Sequence, residues 1–202
     1  SRPYEINNFR AGASYPNGIE YFRAGDSRPN VRRYCAMDLK SVLISQFHAA
    51  LKMLRLCIEQ CPDALWNDPA DQNRFWHVAY HALFYVHLYI SHTEEDFKPW
   101  AGHRMEYNFM GELPWPPHRP PIIGEPYSQA EVLQYLEVVW AVVAEKLAEA
   151  DLDSPVSGFH WLPFGKLELQ LYSLRHLQQH TGELMERLGR VAHIEVDWVG
   201  RG

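Results

Sequence analysis

From Asp38 onward the chain alternates between segments with an apolar residue every three or four positions and shorter polar breaks. The first segment carries Leu39, Leu43, Phe47, Ala50, Leu51, Leu54, Ile58 and Cys61. That spacing keeps them on one stripe of an α-helix. Asp38 is placed to cap this helix, and Pro62 to end it after Cys61. After the connection Asp-Ala-Leu-Trp-Asn-Asp-Pro, a second helix is predicted from about Asp71 to Ser91, with Phe75, Val78, Ala79, Ala82, Leu83, Val86 and Ile90 as its spine. Residues 92–126 break the pattern. Pro114–Pro121 reads Pro-Trp-Pro-Pro-His-Arg-Pro-Pro, which suits neither a helix nor a central strand. A connection this long is often a lid or a binding loop. Ser128 then heads a Ser-x-x-Glu capping box with Glu131. Val132, Leu133, Leu136, Val139, Trp140, Val143 and Leu147 form the third stripe. A fourth helix is predicted from about Lys166 to Leu188, with Gly189 in the position of a C′ glycine. Ile194–Val199 alternates weakly, as a short strand or extended segment does. The expected class is all-α, an antiparallel four-helix bundle with a long crossover between its second and third helices. The short first and last connections predict that helices 1 and 2, and helices 3 and 4, are antiparallel neighbours.

Composition narrows the class. The 202 residues are 47% hydrophobic and 22% charged, ordinary for a globular chain. The net charge of −6 removes the default case for nucleic acid, which needs a basic stripe. No run of about 18 apolar residues occurs, so no membrane span is expected. No charged and then apolar stretch opens the chain, so no secretory signal is expected. Three cysteines, Cys35, Cys57 and Cys61, are too few and odd in number for a disulfide scaffold. A reducing cytoplasm is the expected location. Residues 1–36 differ from the rest. They hold six arginines against three acidic residues, lack helical periodicity and contain Phe-Arg-Ala-Gly twice. They read as an irregular basic arm outside the domain proper, which spans residues 37–202 with Met37 resembling a natural start.

Histidine, with eleven residues, changes the picture most. His77 and His81 lie four apart on the second helix, and His176 and His180 four apart on the fourth. Four residues advance a helix by about 400°, which leaves two side chains about 40° apart and one turn along. Both rings of such a pair can reach one ion. Random placement of this many histidines gives about 0.6 such pairs, so one pair alone says little. Each His can equally be a boundary residue satisfied by a neighbour. His180 falls at the edge of the buried stripe, close to Leu177 and Leu184. A neutral imidazole there needs a partner, and a divalent cation such as Zn, Ni or Fe would satisfy both rings of its pair. Three protein nitrogens and one open position is the pattern of a catalytic metal site.

The run Leu174-Arg-His-Leu-Gln-Gln-His-Thr-Gly-Glu-Leu184 resembles the last helix of the DinB-like superfamily, which includes the YfiT-like metal-dependent hydrolases. Phe75-Trp-His-Val-Ala-Tyr-His-Ala-Leu-Phe84 resembles the second helix of that superfamily, where a tryptophan precedes a metal-binding histidine. The resemblance covers roughly residues 38–190. It implies a bundle binding one divalent metal through His81, His176 and His180, with His77 as an alternate or additional ligand. It also implies a homodimer and, in some members, thiol-dependent transferase or isomerase chemistry. The expected function is that of a metal-dependent enzyme, a transferase using a low-molecular-weight thiol or a hydrolase, acting on a small molecule. The alternative is a non-catalytic metal-binding bundle, a stress-linked binding or interaction protein.

Other chemistries lack their motifs. No Glu is followed three residues later by His, which removes a ferritin-like di-iron site, and His-Glu-x-x-His is absent. Cys57 and Cys61 fit the apolar stripe of the first helix and read as core residues. His48 and His87 read as boundary residues, and His92, His103, His118 and His160 as solvated loop or helix-end residues. Tyr172, Glu183 and Tyr85 each lie within one turn of a candidate ligand. Each is a candidate for proton transfer or for orienting a ring, with Glu183 first for orientation. Trp115, in the proline-rich loop, is the candidate substrate contact if that loop roofs the site.

Overall fold

The computed structural model describes residues 38–202; the basic arm, its repeated tetrapeptide, Cys35 and Met37 lie outside the described residues. The described chain is all-α, with no strand among its elements: α1 (Leu39–Gln60), α2 (Asp63–Trp66), α3 (Phe75–Ile90), α4 (Gln129–Glu149) and α5 (Lys166–Arg187), the last running into a π-helical turn, Leu188–Ala192.

The caps that the sequence predicts are formed. The Asp38 carboxylate accepts from the backbone N–H groups of Lys40 and Ser41 at the start of α1. Ser128 and Glu131 close a reciprocal capping box at the start of α4. Each satisfies backbone donors that a helix start otherwise leaves bare. α3 begins four residues later than predicted. Arg74 donates to the carbonyls of Asp68, at 3.0 Å, and Asp71, at 2.5 Å, and so holds residues 68–73 in a turn until Phe75. The connection before it contains the single turn α2, whose Trp66 donates to the Tyr127 carbonyl at 2.7 Å. Gly189 is not a C′ glycine. The chain stays helical through it, and the left-handed residue is His193, at φ 57°. The C-terminal segment is irregular rather than a strand, and Gly202 donates to the Ser45 carbonyl at 3.1 Å.

Contacts at the helix ends fix directions. Lys40, at the start of α1, donates to the Ala148 carbonyl at the end of α4, and Gln129, at the start of α4, donates to the Cys61 carbonyl at the end of α1. These two helices are therefore antiparallel. Arg187 meets the Asn73 carbonyl just before α3, while Gln170 reaches the Tyr89 carbonyl at its far end, so α3 and α5 are antiparallel too. α3 and α4 run the same way: Trp76 meets Tyr127 just before α4 begins, and His87 meets Tyr135 further along. The main packing partners are α1 with α4 and α5, and α3 with α4 and α5. Contact between α1 and α3 is slight, and between α4 and α5 slighter still, so the neighbour pairs expected from the short connections are not the ones formed. The long crossover explains this. It carries the chain back along α3, a rise of about 24 Å, so that α4 starts beside the start of α3.

Every residue of α3 except Tyr85 is buried. A helix buried all round needs cover on every side. Here the crossover supplies the last side. Phe97 packs on Phe84 and His87, and His103 on Phe84 and Tyr80. The crossover is itself tied down: Arg119 forms a two-pronged pair with Glu106, at 2.9 and 2.6 Å, and Arg104 bridges the Glu125 carbonyl and Glu131. By length and composition α1 could cross a membrane, but its Phe47, Leu51, Leu54 and Ile58 are fully buried in the shared core.

Candidate metal centre

α3 and α5 face each other in opposite directions, which brings His81 level with the pair His176 and His180. The three Nε2 atoms converge. Nε2 of His176 lies 3.2 Å from that of His81 and 3.1 Å from that of His180. All three ligand atoms lie within 4.8 Å of one another. With metal–nitrogen bonds of about 2.0–2.1 Å, two ligands on a tetrahedral ion stand about 3.3 Å apart. The two separations from His176 match that edge.

Donor and acceptor accounting supports a cation. Nδ1 of His81 lies 2.7 Å from the Asn108 carbonyl, and Nδ1 of His180 lies 3.2 Å from a Glu183 oxygen. A carbonyl and a carboxylate only accept, so both Nδ1 atoms carry the proton and both Nε2 atoms present lone pairs. Those lone pairs meet at Nε2 of His176, whose single proton can satisfy only one of them. Nor does extra protonation resolve the conflict. Burial, with repulsion from His180, holds His81 down to about 3 and His176 down to about 4. His81 is 9% exposed and His180 6%. A cation between the three nitrogens satisfies every lone pair at once.

The surroundings orient the rings. Glu183 sits between His180 and Arg187, and Arg187 in turn is paired with Asp71 at 3.5 Å. The end of α5 is thus pinned to the turn before α3. Tyr85 lies against two ligands, its ring 4.7 Å from His81 and 5.4 Å from His176, and burial pushes its hydroxyl pKa up. His77 faces elsewhere. Its Nε2 donates to the Tyr107 carbonyl at 2.8 Å and its ring stacks on Trp76, so it is not part of the converging set. Tyr172 packs on Tyr89 and Phe164, a full turn from His176 and apart from the converging nitrogens. Trp115 is 49% exposed and meets Phe109 edge-on at 5.3 Å.

No family model, no curated protein and no solved structure matches this chain.

Several of the remaining histidines are more engaged than their positions suggested. His103 accepts from or donates to the Tyr80 hydroxyl at 2.6 Å rather than standing in solvent. His87 is buried against the Tyr135 hydroxyl at 3.1 Å. His48 stacks on Trp140 at 4.0 Å. His160, by contrast, is open to solvent. Cys57 and Cys61 are buried thiols, and desolvation pushes both up to about 12. That makes them core residues under ordinary conditions. The Asn108 and Tyr107 carbonyls are the partners that sequence reading missed. A backbone carbonyl has no side-chain signature, so only Arg187, four residues after Glu183, was open to detection as a helical charge pair.

Two cavities lie away from the three ligands. One, of about 470 Å³, is lined within residues 155–164. The other, of about 320 Å³, reaches His77 and is walled by Arg74, Trp76 and the end of the crossover at Ile123, Gly124 and Pro126.

Proposed function

We propose that this chain is a DinB-like helical bundle that holds one divalent cation through His81, His176 and His180 and acts on a small molecule, as a thiol-dependent transferase or a hydrolase. The observation that carries this reading is the convergence of three Nε2 atoms, two of them locked as lone-pair donors by Asn108 and Glu183. The bundle this implies has antiparallel neighbours in α1/α4 and α3/α5 and same-direction neighbours in α3/α4.

A bound divalent cation supplies Lewis acidity, which makes a small thiol or water more acidic at neutral pH. The protein's part is positioning. The Asn108 carbonyl and Glu183 carboxylate fix two ring tautomers and raise ring basicity. Arg187 holds Glu183, and Asp71 holds Arg187. Tyr85 stands against two ligands with its proton retained, suited to donating a hydrogen bond to a group beside the cation. Under this reading the substrate is a small molecule, the active form a homodimer, and the location the cytoplasm.

The second reading is a metal-binding bundle without turnover. It is favoured by one observation: neither cavity is lined by any of the three ligands. The two readings share the same first test. Protein purified without a polyhistidine tag should carry close to one divalent ion per chain, and His180→Ala should lose it while His118→Ala keeps it. A wild type with no more metal than His180→Ala removes both readings. Turnover of small electrophiles with a low-molecular-weight thiol, lost with the metal, separates the enzyme from the binder.

A further inference from the structure

Three buried polar atoms have no hydrogen-bond partner among the described residues: Gln170 Oε1, Ser173 Oγ and His176 Nδ1. All belong to α5 and stand three residues apart, so they form one oblique row that rises about 9 Å along the helix as it winds round its buried side. Gln170 and Ser173 are each 1% exposed. Orphaned polar atoms at this depth call for a partner, and internal water is the usual one.

The polarity of the row can be worked out. Gln170 Nε2 donates to the Tyr89 carbonyl at 3.2 Å. Turning the amide over would set two oxygens against each other, so Oε1 is the atom left to the row, and it only accepts. The Ser173 hydroxyl donates and accepts. His176 Nδ1 differs from its counterparts. In His81 and His180 a fixed acceptor holds the proton on Nδ1; nothing fixes it in His176. Without a cation, Nε2 of His176 is flanked by two lone pairs, so the proton belongs on Nε2 and Nδ1 accepts. With a cation, Nε2 gives up its lone pair, the proton resides on Nδ1, and Nδ1 must donate. The ring stays neutral throughout: one proton leaves Nε2 and one arrives at Nδ1. Only a partner that can both donate and accept serves both states, and water does.

We propose that Gln170, Ser173 and His176 hold a short file of internal waters, and that this file is the reversible partner that lets His176, alone among the three ligands, change tautomer when the centre loads. Waters about 2.8 Å apart link neighbouring members of the row. Ser173 is thus a positioning residue, acting through water on a ligand. The tautomer change rests on the metal reading; the waters follow from the orphaned atoms alone.

The test uses the full chain. Water magnetic relaxation dispersion on metal-free protein counts long-lived internal waters. Long-range proton–nitrogen spectra of histidine-labelled protein, with and without Zn²⁺, read the His176 tautomer. Expected are an Nε2–H tautomer without zinc, an Nδ1–H tautomer with it, and loss of long-lived waters in Ser173→Val. In that variant the zinc Kd should rise about 10-fold, while Ser173→Thr, which keeps the hydroxyl, restores it. If Ser173→Val does not fold, Ser173→Ala and Gln170→Met carry the same measurements. Equal water counts in wild type and variants overturn the file. One His176 tautomer in both states overturns the switch. A wild type that takes no zinc overturns the switch together with the metal reading, and the water count still decides the file.

Discussion

Nδ1 of His180 lies 3.2 Å from Oε2 of Glu183, one turn further along α5. The contact is local in sequence, yet it sets the direction of a ring whose other nitrogen meets Nε2 of His176 one turn back and converges with it on His81 of α3. Glu183→Gln keeps the shape but removes the negative charge. Zinc affinity should fall roughly 10-fold, read by competition with a chromophoric chelator. An unchanged affinity would show that the carboxylate does not tune the ligand.

His77 is the converse case. Its Nε2 is committed to the Tyr107 carbonyl. His77→Ala should therefore keep its zinc while losing stability, by about 1–3 kcal/mol, from the buried carbonyl left without a donor. Urea unfolding of the metal-free protein measures the loss. Disappearance of zinc from a folded His77→Ala would make this residue a ligand after all.

Acid should destabilise the metal-free protein in a defined window. Burial lowers His87 to about 4, whereas an unfolded histidine takes its proton near 6.5. Between those values the unfolded chain binds more protons, so stability is full above about pH 6.5 and is lost as pH falls toward about 4. His81 and His176 act in the same direction. The share of His87 is at most about 3 kcal/mol. His87→Gln can still bond to the Tyr135 hydroxyl but does not titrate, so its urea midpoint should fall less steeply with acid than that of the wild type. Identical slopes would refute this assignment.

The two cysteines of α1 should be silent in the native state. With thiols pushed up to about 12, Cys57 and Cys61 should react with a disulfide reagent at neutral pH only after denaturant is added. Cys57→Ala should leave zinc content unchanged. Rapid labelling of either thiol in folded protein would contradict their burial.

The sequence by itself determined the four long helices and two of their caps. Periodicity, an Asp or Ser at the start and a proline at the end are local signals, readable because a helix repeats every 3.6 residues. It also placed His176 and His180 on one face, since that needs only a spacing of four, and it put Glu183 within reach of His180. The tertiary structure decided the rest. It ran α4 in the direction of α3, because the crossover returns along the length of that helix, and so replaced the expected neighbours. It turned His81 toward α5 and His77 toward the crossover, because the carbonyls of the consecutive residues Tyr107 and Asn108 each take one ring. It carried the π turn through Gly189 to His193. Spacing along one helix says which side chains share a face; which of them meet a partner depends on backbone atoms some 30 residues away, and those leave no mark in the pattern of side chains.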